Sequence, residues 1–108
     1  MYIRTDVADE QSVINAVKQT VARFGAVDIV VNNATVAAAG LPVAETAVAD
    51  WDRSYAVNLR GPVLLARTCL PSMAARRQGV FVCVSSTGGP FLGPYETEGR
   101  PAHVGGNP

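Results

Sequence analysis

The chain has 108 residues, which is enough for one small domain. Nine acidic and nine basic side chains cancel without blocks of like charge, so nothing indicates a surface for nucleic acid or acidic membranes. No apolar run reaches the ~18 residues that span a bilayer, and no basic segment with an apolar core opens the chain. We therefore expect a cytoplasmic protein whose partners are small molecules or other proteins.

The first two predicted elements are a strand and a helix. Residues 1–5 resemble a short strand, after which Asp9 can cap a helix. Apolar residues at helical spacing predict that this helix covers residues 10–24, and Gly25 supplies a left-handed stop. The predicted buried stripe consists of Val13, Ala16, Val17, Thr20, Val21 and Phe24.

Two further strands flank a long helix. Residues 27–31 and 80–84 are runs of mainly β-branched residues, typical of strands covered on both faces. Between them, apolar spacing predicts a helix over residues 51–77, capped by Asp50 and interrupted by two prolines. Strands that alternate with helices predict parallel pairing and right-handed connections. The fold class expected is therefore α/β, with helices packed on a parallel sheet.

The end of the chain has a different composition. Glycine and proline become frequent after residue 87, and apolar periodicity is lost. We expect a folded domain over residues 1–90 and an irregular tail over residues 91–108. Cys69 and Cys83 lack the spacing of a metal site and lie in apolar stretches, which favours buried reduced thiols.

Polar residues follow the first two predicted strands, where ligands bind in open parallel sheets. At Asp6-Val7, the carboxylate can accept a hydrogen bond from an exocyclic amine while the next amide contacts a ring nitrogen. An aspartate after a strand also commonly forms a turn or a helix cap. Asn32 and Asn33 can cross-link neighbouring strands and line a cleft, or they can be polar strand ends that bind nothing.

Ser85-Ser86 follows the third predicted strand, so its hydroxyls would project where a substrate lies above the sheet. Serines in this position also form turns. Asn58 precedes Pro62 by four residues, and the proline ring displaces the carbonyl of Asn58 from the helical ladder. Such a carbonyl can hold an ordered water, although the proline can equally be a tolerated kink.

Taken together in this order, Asn32-Asn33-Ala34, Asn58-Leu59-Arg60-Gly61-Pro62 and Val84-Ser85-Ser86-Thr87-Gly88 resemble the middle third of the short-chain dehydrogenase/reductase family. The resemblance covers about residues 1–90. It implies a Rossmann-like fold and hydride transfer between NAD or NADP and a small alcohol or carbonyl substrate. It also implies a homo-oligomer through helix 51–77. No metal site is expected, because His103 is the only histidine and has no second ligand nearby in sequence.

The resemblance assigns roles to individual residues. It implies that Ser86 donates a hydrogen bond to the substrate oxygen, with Ser85 as the fallback, and that the Asn58 carbonyl holds a water of the proton relay. It implies cofactor contacts from two further groups. They are Asp6 with Val7 at the adenine ring, and Asn32, Asn33 and Ala34 in the sheet beside the cofactor, where Thr35 replaces the family's glycine.

Two family motifs are not found in these residues. No glycine-rich phosphate loop occurs, and Lys18 is the only lysine, so Tyr-x-x-x-Lys is absent. Tyr95 comes too early after the serines to match that tyrosine, and His103 has no second catalytic group nearby in sequence. We therefore expect a partial oxidoreductase that is inactive by itself. The alternative is a Rossmann-like remnant that acts as a protein-interaction module.

Overall fold

The computed structural model describes residues 1–36 and 43–85. They belong to two compact units. One unit comprises residues 1–32 and 61–84, and the other takes in the described residues of 33–60 together with Ser85. The predicted tail and Ser86 lie outside the described residues, and the division into a domain and a tail stays a prediction.

Helix α1, Glu10–Phe24, lies in the first unit and confirms the prediction at both ends. The Asp9 side chain accepts a hydrogen bond from the Gln11 amide, and Gly25 ends the helix with a φ of 88°. The predicted stripe is buried at Val13, but Phe24 is 61% exposed. The stripe is thus covered near the start of α1 and open near its end.

Strands β1, Ile29–Asn32, and β2, Val80–Cys83, form a parallel pair. Ile29 is opposite Val80 and Asn32 is opposite Cys83, so both strands end at the same edge. The prediction of a strand over residues 1–5 is wrong, since no strand is formed there. A strand requires a hydrogen-bonded neighbour, and β1 and β2 pair only with each other within the described part of the chain.

One face of this sheet is open. Helix α3, Gly61–Arg76, contacts β1 and β2 and also packs on α1. Every second residue along each strand lies on the opposite face and is exposed, and Ile29 on this face is 66% exposed. The other members of this face are Val31, Val80, Val82 and Val84. The expectation that both faces are covered is therefore wrong within the described residues.

The end of α3 is joined to the sheet by a tight turn. Arg77 has a φ of 52°, its amide donates to the Ala74 carbonyl, and the Gln78 amide donates to the Met73 carbonyl. This pattern is a Schellman motif with arginine at the left-handed position that glycine usually occupies. Arg76 contacts Asp28 at 2.6 Å, and it also donates to the Val27 carbonyl at 2.8 Å. The last turn of α3 is thereby tied to the residues that lead into β1.

The second unit contains three short helical segments, and the last two stand in place of the first part of the predicted helix 51–77. They are a 3₁₀ turn, Val43–Glu45, helix α2, Val48–Tyr55, and a π-helical turn, Ala56–Arg60. Ala47 precedes α2 without a side-chain cap, and Asp50 lies in the first turn, so the expected cap is wrong. Pro62 has no N–H to bond to the carbonyl of residue 58, which explains why the α-helical pattern is interrupted here.

The two cysteines differ in their surroundings. Both are free, but Cys69 is buried in α3, whereas Cys83 at the end of β2 is exposed. Burial raises the pKa of the Cys69 thiol because it disfavours the thiolate. The prediction of a buried thiol is thus confirmed for Cys69 and wrong for Cys83. None of the described helices is both long enough and apolar enough to cross a bilayer.

Candidate active site

The Asp6-Val7 dipeptide forms a turn that leads into α1. Asp6 Oδ1 accepts a hydrogen bond from the Ala8 amide at 2.9 Å, and the Asp6 carbonyl accepts one from the Asp9 amide at 3.2 Å. The Asp6 amide donates to Ser12 Oγ at 2.9 Å. Asp6 therefore shapes the turn, which was one of the two roles considered from the sequence.

Val7 is at the centre of this turn. Its amide makes no hydrogen bond within the described part of the chain, whereas both of its neighbours are bonded. The second carboxylate oxygen of Asp6, Oδ2, takes no part in the bond to Ala8. A free amide donor and a carboxylate acceptor thus lie on adjacent residues, which is the combination that a heteroaromatic ring with an exocyclic amine requires.

Asn32 ends β1 and is only 6% exposed. Its carbonyl accepts a hydrogen bond from the Val84 amide at 2.9 Å, which extends the pairing of the two strands by one residue. Its side-chain Oδ1 is buried and has no partner among the described residues. Because buried acceptors are usually satisfied, this oxygen is available for a donor from a further strand, a ligand or water.

Asn58 lies in the π-helical turn and binds the backbone of Val36 with both ends of its amide. Asn58 Oδ1 accepts a hydrogen bond from the Val36 N–H at 2.8 Å, and Asn58 Nδ2 donates to the Val36 carbonyl at 2.9 Å. The side chain thus bonds Val36 as a neighbouring strand would. The sequence indicated a role for the main-chain carbonyl of Asn58 but gave no sign of this side-chain function.

The remaining predicted site residues lie close to the strand ends. Asn33 and Ala34 follow β1 directly and are exposed, and they belong to the same unit as Asn58. Ser85 is exposed two residues after β2, and it is the last residue described before Ser86. Two hydrogen-bonded pairs described above join residues that are far apart in sequence. Asn32 is bonded to Val84 in the first unit, and Val36 is bonded to Asn58 in the second.

The family model described as short chain dehydrogenase matches residues 1–97. The chain belongs to the short-chain dehydrogenase family. An uncharacterized oxidoreductase of Thermotoga maritima is 40% identical over 105 residues, which is 97% of this chain and 40% of that protein. This short-chain dehydrogenase chain therefore spans less than half the length of that relative.

Solved structures agree with the family assignment. A 3-ketoacyl-ACP reductase from Sinorhizobium meliloti is 37% identical with a TM-score of 0.81, and the match covers 90% of this chain and 39% of that one. A metagenomic short-chain oxidoreductase in complex with NADP is 32% identical with a TM-score of 0.76, over 85% of this chain and 42% of that one. The partial, Rossmann-like α/β fold predicted from the sequence is thereby confirmed.

Proposed function

We propose that this chain supplies the central part of an NAD(P)-dependent dehydrogenase or reductase that acts on a small alcohol or carbonyl compound. The observation that carries the proposal is the parallel pairing of β1 with β2, in which Asn32 is opposite Cys83. This register ends both strands at one edge, and ligands bind at that edge in open parallel sheets. Ser85 and Ser86 follow β2 within three residues, and Asn33 and Ala34 follow β1 directly.

The proposed cofactor contacts use two groups of residues. Val7 would donate its free amide to a ring nitrogen of adenine, and the Asp6 carboxylate would accept from the exocyclic amine. Asn32, Asn33 and Ala34 would line the sheet beside the cofactor, and the unpartnered Asn32 Oδ1 supports a polar neighbour at this position. The nicotinamide, when bound, supplies the hydride acceptor or donor.

The proposed chemical roles belong to Ser86 and Asn58. The Ser86 hydroxyl would donate a hydrogen bond to the substrate oxygen, which polarises a carbonyl as hydride reaches its carbon. The Asn58 carbonyl would hold a water that relays a proton. The side-chain bonds from Asn58 to Val36 support this role because they hold the asparagine in one orientation. Ser85 is the alternative to Ser86.

The isolated 108-residue chain is expected to bind dinucleotide weakly and to be inactive. It contains neither a glycine-rich loop for the pyrophosphate nor a lysine near its serines to lower the pKa of a catalytic tyrosine. The measurement is NAD(P)H consumption by the purified chain with a panel of ketones. Turnover that disappears in Ser86→Ala would contradict the expected inactivity.

A chimera tests the function itself. Residues 1–86 would replace the matching segment of the Sinorhizobium 3-ketoacyl-ACP reductase, which keeps its own preceding and following sequence. We expect reduction of 3-ketoacyl-ACP with NADPH or NADH, and its loss in Ser86→Ala. Ser72→Ala, at an exposed position of α3, is the control. A folded chimera whose activity is the same with and without Ser86 would overturn the proposed role of this serine.

Self-association through the region predicted as helix 51–77, which contains α3, is part of the proposal. One side of α3 carries an open apolar groove of about 520 Å³, and Leu70 in this groove is 44% exposed. Its lining comprises Val63, Ala66, Arg67, Leu70, Pro71 and Ala74. Sedimentation of the chain and of Leu70→Glu checks this point, since the charged variant should shift toward monomer. The cytoplasmic location stays a prediction.

A further inference from the structure

The turn that contains Val7 lies directly against the first residue of α3. Gly61 begins α3 and is buried. A Cβ placed on Gly61 would be 3.2 Å from Val7 Cγ2, and 3.4 Å from both Val7 Cβ and the Val7 carbonyl oxygen. The first of these distances is tighter than ordinary packing, so a methyl group at residue 61 would push Val7 or α3 aside by a few tenths of an ångström.

The backbone of Gly61 does not itself require glycine. Its φ lies outside the left-handed range, unlike that of Gly25, and alanine is the better helix former. The absence of a side chain at residue 61 is therefore explained by the space that Val7 occupies.

Val7 has little freedom to move away. Its β-branched side chain is stiff at χ1, and its Cβ would itself be 3.4 Å from the added carbon. On either side, the Asp6 amide is bonded to Ser12 Oγ and the Ala8 amide to Asp6 Oδ1. A push on Val7 is thus transmitted to the turn that carries its free amide.

We propose that Gly61 is a positioning residue of the cofactor site. Without a side chain, it lets α3 rest against Val7, and this contact sets the position of the Val7 amide and the Asp6 carboxylate. The inference rests on the proposed function, in which these two groups hold the adenine ring. Gly61 does not touch the cofactor and acts through Val7.

The test uses the full 108-residue chain and adenosine, a probe that needs no pyrophosphate loop. NMR titration follows the amides of Val7 and Ala8, and thermal unfolding is measured in parallel. In Gly61→Ala, adenosine affinity should fall about fivefold, as expected for one weakened hydrogen bond, while the melting temperature changes little. Gly61→Val should bind still more weakly, and Ser72→Ala on the exposed face of α3 should match the unaltered chain.

A purely structural glycine would lower the melting temperature and leave the affinity of the folded protein unchanged. The inference is overturned if Gly61→Ala binds adenosine within about twofold of the unaltered chain, whether or not the Val7 and Ala8 amide shifts move. If the unaltered chain does not bind adenosine, the proposed adenine contact fails. The cofactor role of Gly61 then fails with it, and the amide shifts separate the two failures: displaced resonances in Gly61→Ala show that Gly61 still sets the position of the turn, whereas unchanged ones overturn the positioning itself.

A second variant covers the case in which Gly61→Ala does not fold. Val7→Ala added to it removes Cγ2, the atom nearest to the new methyl group. Recovery of the fold in the double variant supports the contact, whereas a double variant that remains unfolded overturns it.

Discussion

Replacing Asn58 with alanine should destabilise the chain by removing two hydrogen bonds to one backbone residue. The Val36 N–H and carbonyl bond to the Asn58 amide at 2.8 and 2.9 Å. Each such bond contributes about 1 kcal/mol, so the loss is about 2 kcal/mol. Alanine recovers about 0.5 kcal/mol through its higher helix propensity. The expected net change in the free energy of unfolding is therefore about −1.5 kcal/mol.

Urea unfolding followed by the fluorescence of Trp51, which lies in the same unit, measures this change. Asn15→Ala is the matched control because Asn15 is an exposed helical asparagine whose side chain, among the residues that the structure describes, bonds only to the side chain of Gln11. The control should change stability by less than about 0.5 kcal/mol. Amide exchange supplies a local readout, since the Val36 N–H should exchange about tenfold faster in Asn58→Ala.

The two asparagine variants separate the interpretations. If Asn58→Ala and Asn15→Ala have the same stability, and Val36 exchanges equally in both, the side-chain bonds of Asn58 do not hold the segment after β1. The reasoning from these distances would then be refuted.

Three further predictions concern the end of α3, its link to β2, and the thiols. Arg77→Gly should stabilise the chain by about 0.5–1 kcal/mol, because glycine adopts the left-handed conformation without strain. Arg77→Ala should not stabilise it, and urea unfolding of both variants measures the difference. Gly79→Ala should cost about 1–3 kcal/mol, since its Cβ would be 2.6 Å from Met73 Sδ and 2.7 Å from Met73 Cβ; a neutral result would contradict this packing. At pH 8, a thiol reagent should label Cys83 at least about tenfold faster than Cys69, whose burial raises the pKa of its thiol. Mass spectrometry of the labelled peptides checks this, and equal rates would mean that Cys69 is accessible.

The sequence placed Asn32 at a strand end and Asn58 in a helical segment, as the structure has them, whereas the strand expected before Asp6-Val7 is not formed. The contacts of these residues could not be read from the sequence. Asn32 was expected at the end of a buried strand; it does end β1, but one face of that strand is exposed. Asn58 was expected within a helix that Pro62 bends, and the π-helical turn at this position confirms that the helix is irregular there. The partner of its side chain is Val36, which is 22 residues away. No pattern in the sequence marks such a pairing. The sequence also contained no sign that α3 lies close to Val7, apart from the glycine at residue 61 itself.

What the sequence determined by itself is the local structure. The ends of α1 were predictable from nearby residues. The Asp9 side chain caps an amide two residues away, and Gly25 adopts a positive φ because it has no side chain. The runs that became β1 and β2 were recognisable from their β-branched residues. Each of these signals acts within a few residues along the chain.

Only the tertiary structure decided which extended segments became strands and which apolar faces were covered. Residues 1–5 have strand-like composition, but no strand pairs with them within residues 1–36 and 43–85, and they form no strand themselves. Ile29 is exposed although its strand looks like a buried one, because no described element packs on that face. Pairing and burial depend on partners that are distant in sequence, and their free energy is gained only when the chain brings those partners together.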